Sequence, residues 1–164
     1  SKVYFPRLII PLATVLVGLI DFGVSLIILA GVMAWYGVMP DWHILLLPAF
    51  VLLAVLVAIG PALWAAAMIV KYRDFRFVIP FAVQVGLYVS PVGFSAKIVP
   101  SEWLLLYSLN PMVGVIDGFR WAILGGESPL YLPGFALSLL VTAGMLWLGI
   151  HTFRSTERRF ADLI

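Results

Sequence analysis

Long apolar runs broken by short charged stretches organise this chain. Between residues 8 and 38 the only charge is Asp21, and residues 42–70, 77–96 and 128–153 carry none. Crossing the ~30 Å hydrocarbon of a bilayer takes about 20 apolar residues at a helical rise of about 1.5 Å each. Each run is that long, so the pattern predicts an all-α integral membrane protein. Its four transmembrane helices fall at about 8–36, 43–70, 77–96 and 130–153, all within one transmembrane domain covering 1–164. Helix is required because an isolated strand would leave its backbone groups unsatisfied in lipid. Pro11, Pro48, Pro80 and Pro133 stand near span entrances, where a missing N–H costs least. Pro61 and Pro91 lie deeper and predict kinks.

Residues 100–127 break the pattern. They are apolar, yet Asn110-Pro111 divides them and Glu102, Asp117, Arg120 and Glu127 punctuate them. Neither half can cross a bilayer, since ten helical residues reach only about 15 Å. The segment reads as a re-entrant helical hairpin, tolerated in lipid only where protein buries it or a cavity wets it. The alternative is an amphipathic hairpin lying on the outer surface.

Composition removes other classes. The chain is 63% hydrophobic and 11% charged, with mean hydropathy +1.12. A water-soluble domain runs nearer 45–50% apolar and about 25% charged. No cysteine is present, so there is no disulfide, thiol nucleophile or thiolate metal site. No basic stripe is long enough to track phosphates, so nucleic acid is not an expected partner; membrane lipid is. Charge asymmetry sets the orientation. Eight of the 10 Lys and Arg residues (Lys2, Arg7, Lys71, Arg73, Arg76, Arg154, Arg158, Arg159) share one face if both termini are cytoplasmic, leaving Lys97 and Arg120 opposite.

Individual residues admit two readings each. Asp21, mid-span, costs about 2.5–3.5 kcal/mol to insert; it faces either a substrate path or a neighbouring helix that packs on it. Asp117 and Arg120 are three apart and share one face of a short helix, either as a local ion pair or as a contact in the path. Trp35, Trp42 and Tyr131 suit an aromatic belt at headgroup depth. Tyr88, Phe94, Tyr107 and Trp121 are the better candidates for lining a conduit, where ring faces offer apolar contact and polar tips offer hydrogen bonds. Gly114 and Gly118 form a small-xxx-small pair for close helix approach, in a gate or at a dimer contact. His43 and His151 lack a second ligand at metal spacing and read as interfacial packing. No nucleophile–base set stands out, so no catalytic residue and no metal is assigned.

The ordered motifs resemble the ABC-2 type permeases that export O-antigen, capsule or teichoic acid. Lys2-Val3-Tyr4-Phe5-Pro6-Arg7 is similar to the cytoplasmic loop before that family's third span. Gly18-Leu19-Ile20-Asp21-Phe22 and Tyr72-Arg73-Asp74-Phe75 resemble its third span and the loop between its fourth and fifth. Ser90-Pro91-Val92 stands at the expected end of the fifth. Leu109-Asn110-Pro111-Met112 and Asp117-Gly118-Phe119-Arg120-Trp121 are similar to its gate region, and Phe153-Arg154, Thr156-Glu157-Arg158 and Phe160-Ala161-Asp162 to its cytoplasmic tail. The family implies six spans after an amphipathic interface helix. The start of this chain therefore implies that roughly 100 residues, two spans with their loops, precede Ser1.

The resemblance implies a multi-pass subunit of the bacterial inner membrane. Two such permeases would pair as a homodimer with two ABC ATPase subunits and extrude a polyprenyl-pyrophosphate-linked glycan. ATP and Mg would sit on the ATPase, since no GxxxxGK[ST] occurs here; this chain itself carries no cofactor. Lys71, Tyr72, Arg73, Asp74, Phe75 and Arg76 would form an ATPase-coupling loop, against the plainer reading of a loop whose charges only set topology. Asp21, Tyr88, Phe94, Tyr107, Asn110, Asp117, Arg120 and Trp121 would mark the path or gate. Two alternatives stay open: an ABC-2 exporter of a lipid or drug, and a four-span scaffold or accessory subunit without transport.

Overall fold

The computed structural model describes residues 9–39, 41–125 and 130–161. Lys2, Arg7, Gly126, Glu127 and Asp162 lie outside the described residues, as do the side chains of Lys97, Glu157, Arg158, Arg159 and Phe160. The described residues are helices and connecting turns, with no strand among them. The helices are α1 (Ile9–Tyr36), α2 (Leu47–Lys71), α3 (Phe75–Val89), α4 (Ser101–Tyr107), α5 (Pro111–Ile123) and α6 (Leu132–Ala161), and a 3-10 turn (Trp42–Leu46) leads into α2.

Three of these helices are long and apolar enough to cross a membrane: α1, α2 with its leading turn, and α6. The fourth expected span is shorter than its apolar run. The uncharged residues continue to Ala96, but α3 ends at Val89 after 15 residues, about 22 Å. Pro91 is the reason. A residue before proline is pushed out of helical geometry, and Ser90 adopts φ −83°, ψ 147°. Pro91 thus terminates a helix, where a kink was expected. Pro61 does lie inside α2, and so does Pro80 inside α3 rather than at its entrance.

The packed centre is formed by α2, α5 and α6. Phe50, Leu53, Val57, Val115 and Ala122 are buried together, with Met112, Phe119, Trp121 and Phe135 against them. Small residues set how closely the helices approach, as expected where lipid supplies no hydrophobic drive between helices. A Cβ on Gly60 would lie 2.9 Å from the Met145 carbonyl carbon, and one on Gly149 would collide with the Gly60 carbonyl oxygen. The backbones of α2 and α6 therefore touch. α5 is seated the same way: a Cβ on Gly114 would stand 2.6 Å from Ser138 Cβ of α6, and one on Gly118 would overlap the Phe50 ring of α2. The Gly114/Gly118 pair thus packs α5 inside its own chain.

α1 and α3 flank this centre, and α3 buries no residue. α1 reaches the core through Phe22, whose ring stands 5.3 Å from that of Phe119. In water such apolar flanks would be a liability; against lipid they are ordinary surface.

Candidate functional site

The interrupted segment folds as two short helices, α4 and α5, divided at Ser108–Asn110. Asn110 makes the break. Its Oδ1 accepts from the Met112 backbone N–H at 3.1 Å, an N-cap, and Pro111 follows where a helix needs no N–H. At the other end Gly125 takes φ 61°, the left-handed stop that closes many helices. A side chain there would also press on Asp41, 3.1 Å from its Cβ.

This hairpin is tied to the broken end of α3. The Tyr107 hydroxyl donates to the Val89 carbonyl at 2.7 Å, and Asn110 Nδ2 donates to Ser90 Oγ at 3.0 Å. Arg120 Nη2 donates to the Pro91 carbonyl at 2.7 Å and more weakly to Val92 at 3.4 Å. A helix end leaves carbonyls without partners, and here side chains from α4 and α5 supply the donors. The arrangement is a three-point latch: Tyr107, Asn110 and Arg120 on one side, residues 89–92 on the other.

Asp117 stands 3.7 Å from Arg120 Nη1, which is long for a hydrogen bond. That nitrogen is buried without a hydrogen-bond partner among the described residues. The short bonds of Arg120 thus go to the α3 end rather than to Asp117. The expected i,i+3 pair exists, but its stronger half is a contact that sequence spacing could not reveal.

The remaining path candidates separate. Trp121 joins an aromatic cluster with His43, at 4.5 Å, and Phe50, at 6.4 Å. His43 also meets Asp41 at 3.0 Å and stacks near Trp42, so the packing role read for it has named partners. Tyr88 is 74% exposed on α3, and Phe94 is half-buried in the following loop. Asp21 is exposed on α1 and makes no side-chain hydrogen bond or ion pair among the described residues. Tyr131, read as a belt residue, lines a cavity against α4, α5 and α6, together with Asp117, Ser101 and Phe135. Alternating apolar and polar residues gave no signal for that cavity, because its walls come from four separate stretches of chain.

At the opposite end of α3, the proposed coupling residues form a tight turn. The Phe75 N–H bonds the Tyr72 carbonyl at 3.0 Å, and the Phe75 ring meets Trp64 of α2 edge-on at 5.5 Å. Lys71 Nζ lies 5.1 Å from the Tyr72 ring and the Arg76 guanidinium 4.7 Å from that of Phe77. Lys71, Tyr72, Arg73, Asp74 and Arg76 are all exposed. α3 is therefore a rod anchored at both ends, by Phe75 on α2 and by the latch on α4 and α5.

Comparison with known proteins bears on what this arrangement does. The profile of the family described as ABC-2 type transporter matches residues 2–124. The O-antigen export system permease protein RfbA of Myxococcus xanthus is 27% identical over 166 residues, which cover 100% of this chain and 64% of that protein. A protein of the same description from Klebsiella pneumoniae is 22% identical over 174 residues, covering 100% of this chain and 63% of that one. The chain thus spans somewhat under two-thirds of the length of these curated relatives. No solved structure matches it.

Proposed function

The chain belongs to the ABC-2 type transporter family, and from that premise we propose that it is the membrane-embedded part of a permease exporting cell-surface polysaccharide. It is a membrane protein; the bacterial inner membrane, with both termini cytoplasmic, is the location this reading assigns. The relatives' description as O-antigen export permeases favours a glycan over a lipid or drug as cargo. Family membership argues against a scaffold without transport.

The observation that carries the reading is the seating of α5. Two helices of 7 and 13 residues cannot span lipid. Such backbone is tolerated at membrane depth only where protein buries it, and Gly114 and Gly118 bury α5 between α2 and α6. A short hairpin whose second helix is buried in the core and whose break is tied to residues 89–92 suits a re-entrant gate at the external end. In this reading α3, extended by residues 90–99, makes the fourth crossing. Two permeases pair, and ATP hydrolysis with Mg on partner ABC ATPases drives a polyprenyl-pyrophosphate-linked glycan outward.

Motion would enter at the turn of residues 71–76. Tyr72 offers an exposed apolar contact, and Arg73 and Asp74 orient the docking. Because α3 is held at both ends, displacement at Phe75 is delivered to residues 89–92 and so to the latch. The test is complementation of a permease deletion strain with the full-length gene carrying the double substitution R73E/D74R. Expected is a correctly inserted permease, at wild-type level in the membrane fraction, with surface polysaccharide reduced by at least tenfold. Unchanged export in that variant would remove the coupling role.

A further inference from the structure

A cavity of about 460 Å³ lies between α4, α5 and the entrance of α6. Its walls include Asp117, Ser101, Leu104, Val113, Tyr131 and Phe135. The volume falls within the roughly 300–1,000 Å³ of small-molecule sites. Three polar groups on the wall have acceptor or donor capacity to spare. The Asp117 carboxylate reaches Arg120 only across 3.7 Å, and the hydroxyls of Ser101 and Tyr131 make no side-chain hydrogen bond among the described residues.

The lining selects among ligand chemistries. Among the described residues, an anion would meet a carboxylate and no cationic lining side chain. A divalent cation would find, among the same residues, a single carboxylate where several oxygen ligands are needed. An acyl chain would strip water from Asp117 and Ser101 without replacing its hydrogen bonds. A neutral polyhydroxylated ring meets every group: its C–H face lies on Tyr131 and Phe135, and its hydroxyls donate to Asp117 in charge-assisted bonds and exchange bonds with Ser101.

We propose that this cavity is a binding site for a single glycosyl residue, held by Asp117, Ser101 and Tyr131 beside the gate. The proposal deepens the export reading above and rests on it for its ligand class. Asp117 lies three residues before Arg120 on α5, so a sugar bound to the carboxylate sits next to the latch and can bias it.

The test uses the full-length permease with its ATPase in lipid nanodiscs. The probes are the methyl α-glycosides of D-glucose, D-galactose, D-mannose and L-rhamnose, read by saturation-transfer-difference NMR. Expected is saturation transfer to at least one glycoside, lowered at least about fivefold by Asp117→Asn and by Tyr131→Leu. Trp35→Ala, which does not line the cavity, leaves it unchanged. Tyr131→Leu keeps the test informative if Asp117→Asn fails to fold. No transfer from any glycoside, or transfer unchanged in both cavity variants, overturns the proposal. Surface polysaccharide from the same genes separates the two readings. Normal export with no sugar signal removes the site and leaves the export reading standing. A sugar signal that depends on Asp117 and Tyr131, in a permease that puts no glycan on the surface, keeps the site and removes the export reading.

Discussion

Arg120 Nη2 donates a 2.7 Å hydrogen bond to the carbonyl of Pro91, joining α5 to the end of α3 across 29 residues of sequence. Pro91 ends α3 early, which leaves carbonyls needing donors, and Arg120 brings the donor from α5. Replacing Arg120 with Ala removes this bond and strands the carbonyl. Hydrogen bonds to charged groups contribute about 1.5–3 kcal/mol, so the variant should lose about that much stability in thermal unfolding of the purified complex. Arg120→Lys should recover less than half of it, because an ammonium lacks the planar fork. Full recovery by Lys would mean that charge alone matters.

Close helix crossings give a second expectation. Gly149→Ala places a methyl on the Gly60 carbonyl oxygen, and a backbone cannot yield as a side chain can. Overpacking of this kind costs about 1–3 kcal/mol, and folded protein recovered in detergent should fall accordingly. Gly86→Ala meets nothing within 4 Å on α3 and should be neutral or stabilising by up to about 1 kcal/mol. Equal behaviour of the two variants would contradict the α2–α6 contact.

Asp21 provides a third. An acid at this depth is held by a partner or a wet surface, and the packing reading finds no partner for it among the described residues. Asp21→Leu should insert at wild-type level or above while surface polysaccharide drops at least fivefold. Asp21→Asn should retain part of the activity. Loss of the protein from the membrane in Asp21→Leu would support the packing role.

How much of this was legible in the sequence depends on the range of the interactions. The division of the hairpin was legible because both its signals, an Asn cap and a following Pro, are local. The all-helical class and the long α1, α2 and α6 follow from apolar run length. The length of α3 did not, because an uncharged run continues past Pro91 and hydropathy is blind to where the helix stops. The neighbours of Trp121 and Tyr131 were hidden for the same kind of reason. The aromatic cluster around Phe50 claims one, and the cavity against α4 claims the other; neither neighbour is near in sequence. The partners of Arg120 lie 28 and 29 residues away, beyond any helical spacing rule.

In the proposed mechanism displacement of α3 reaches the hairpin through the latch, so a latch that cannot move should block export. Asn110 Nδ2 and Ser90 Oγ lie 3.0 Å apart, and this chain has no cysteine of its own. In the double variant Ser90→Cys and Asn110→Cys, in an otherwise cysteine-free full-length complex, the two thiols can be bridged through disulfides by a short bis-methanethiosulfonate reagent and released by dithiothreitol. The most direct measurement is surface polysaccharide from cells carrying that variant, before and after reduction, with bridge formation quantified in parallel. The account predicts export near zero when the bridge is complete and recovery on reduction. Undiminished export with the bridge fully formed would contradict it.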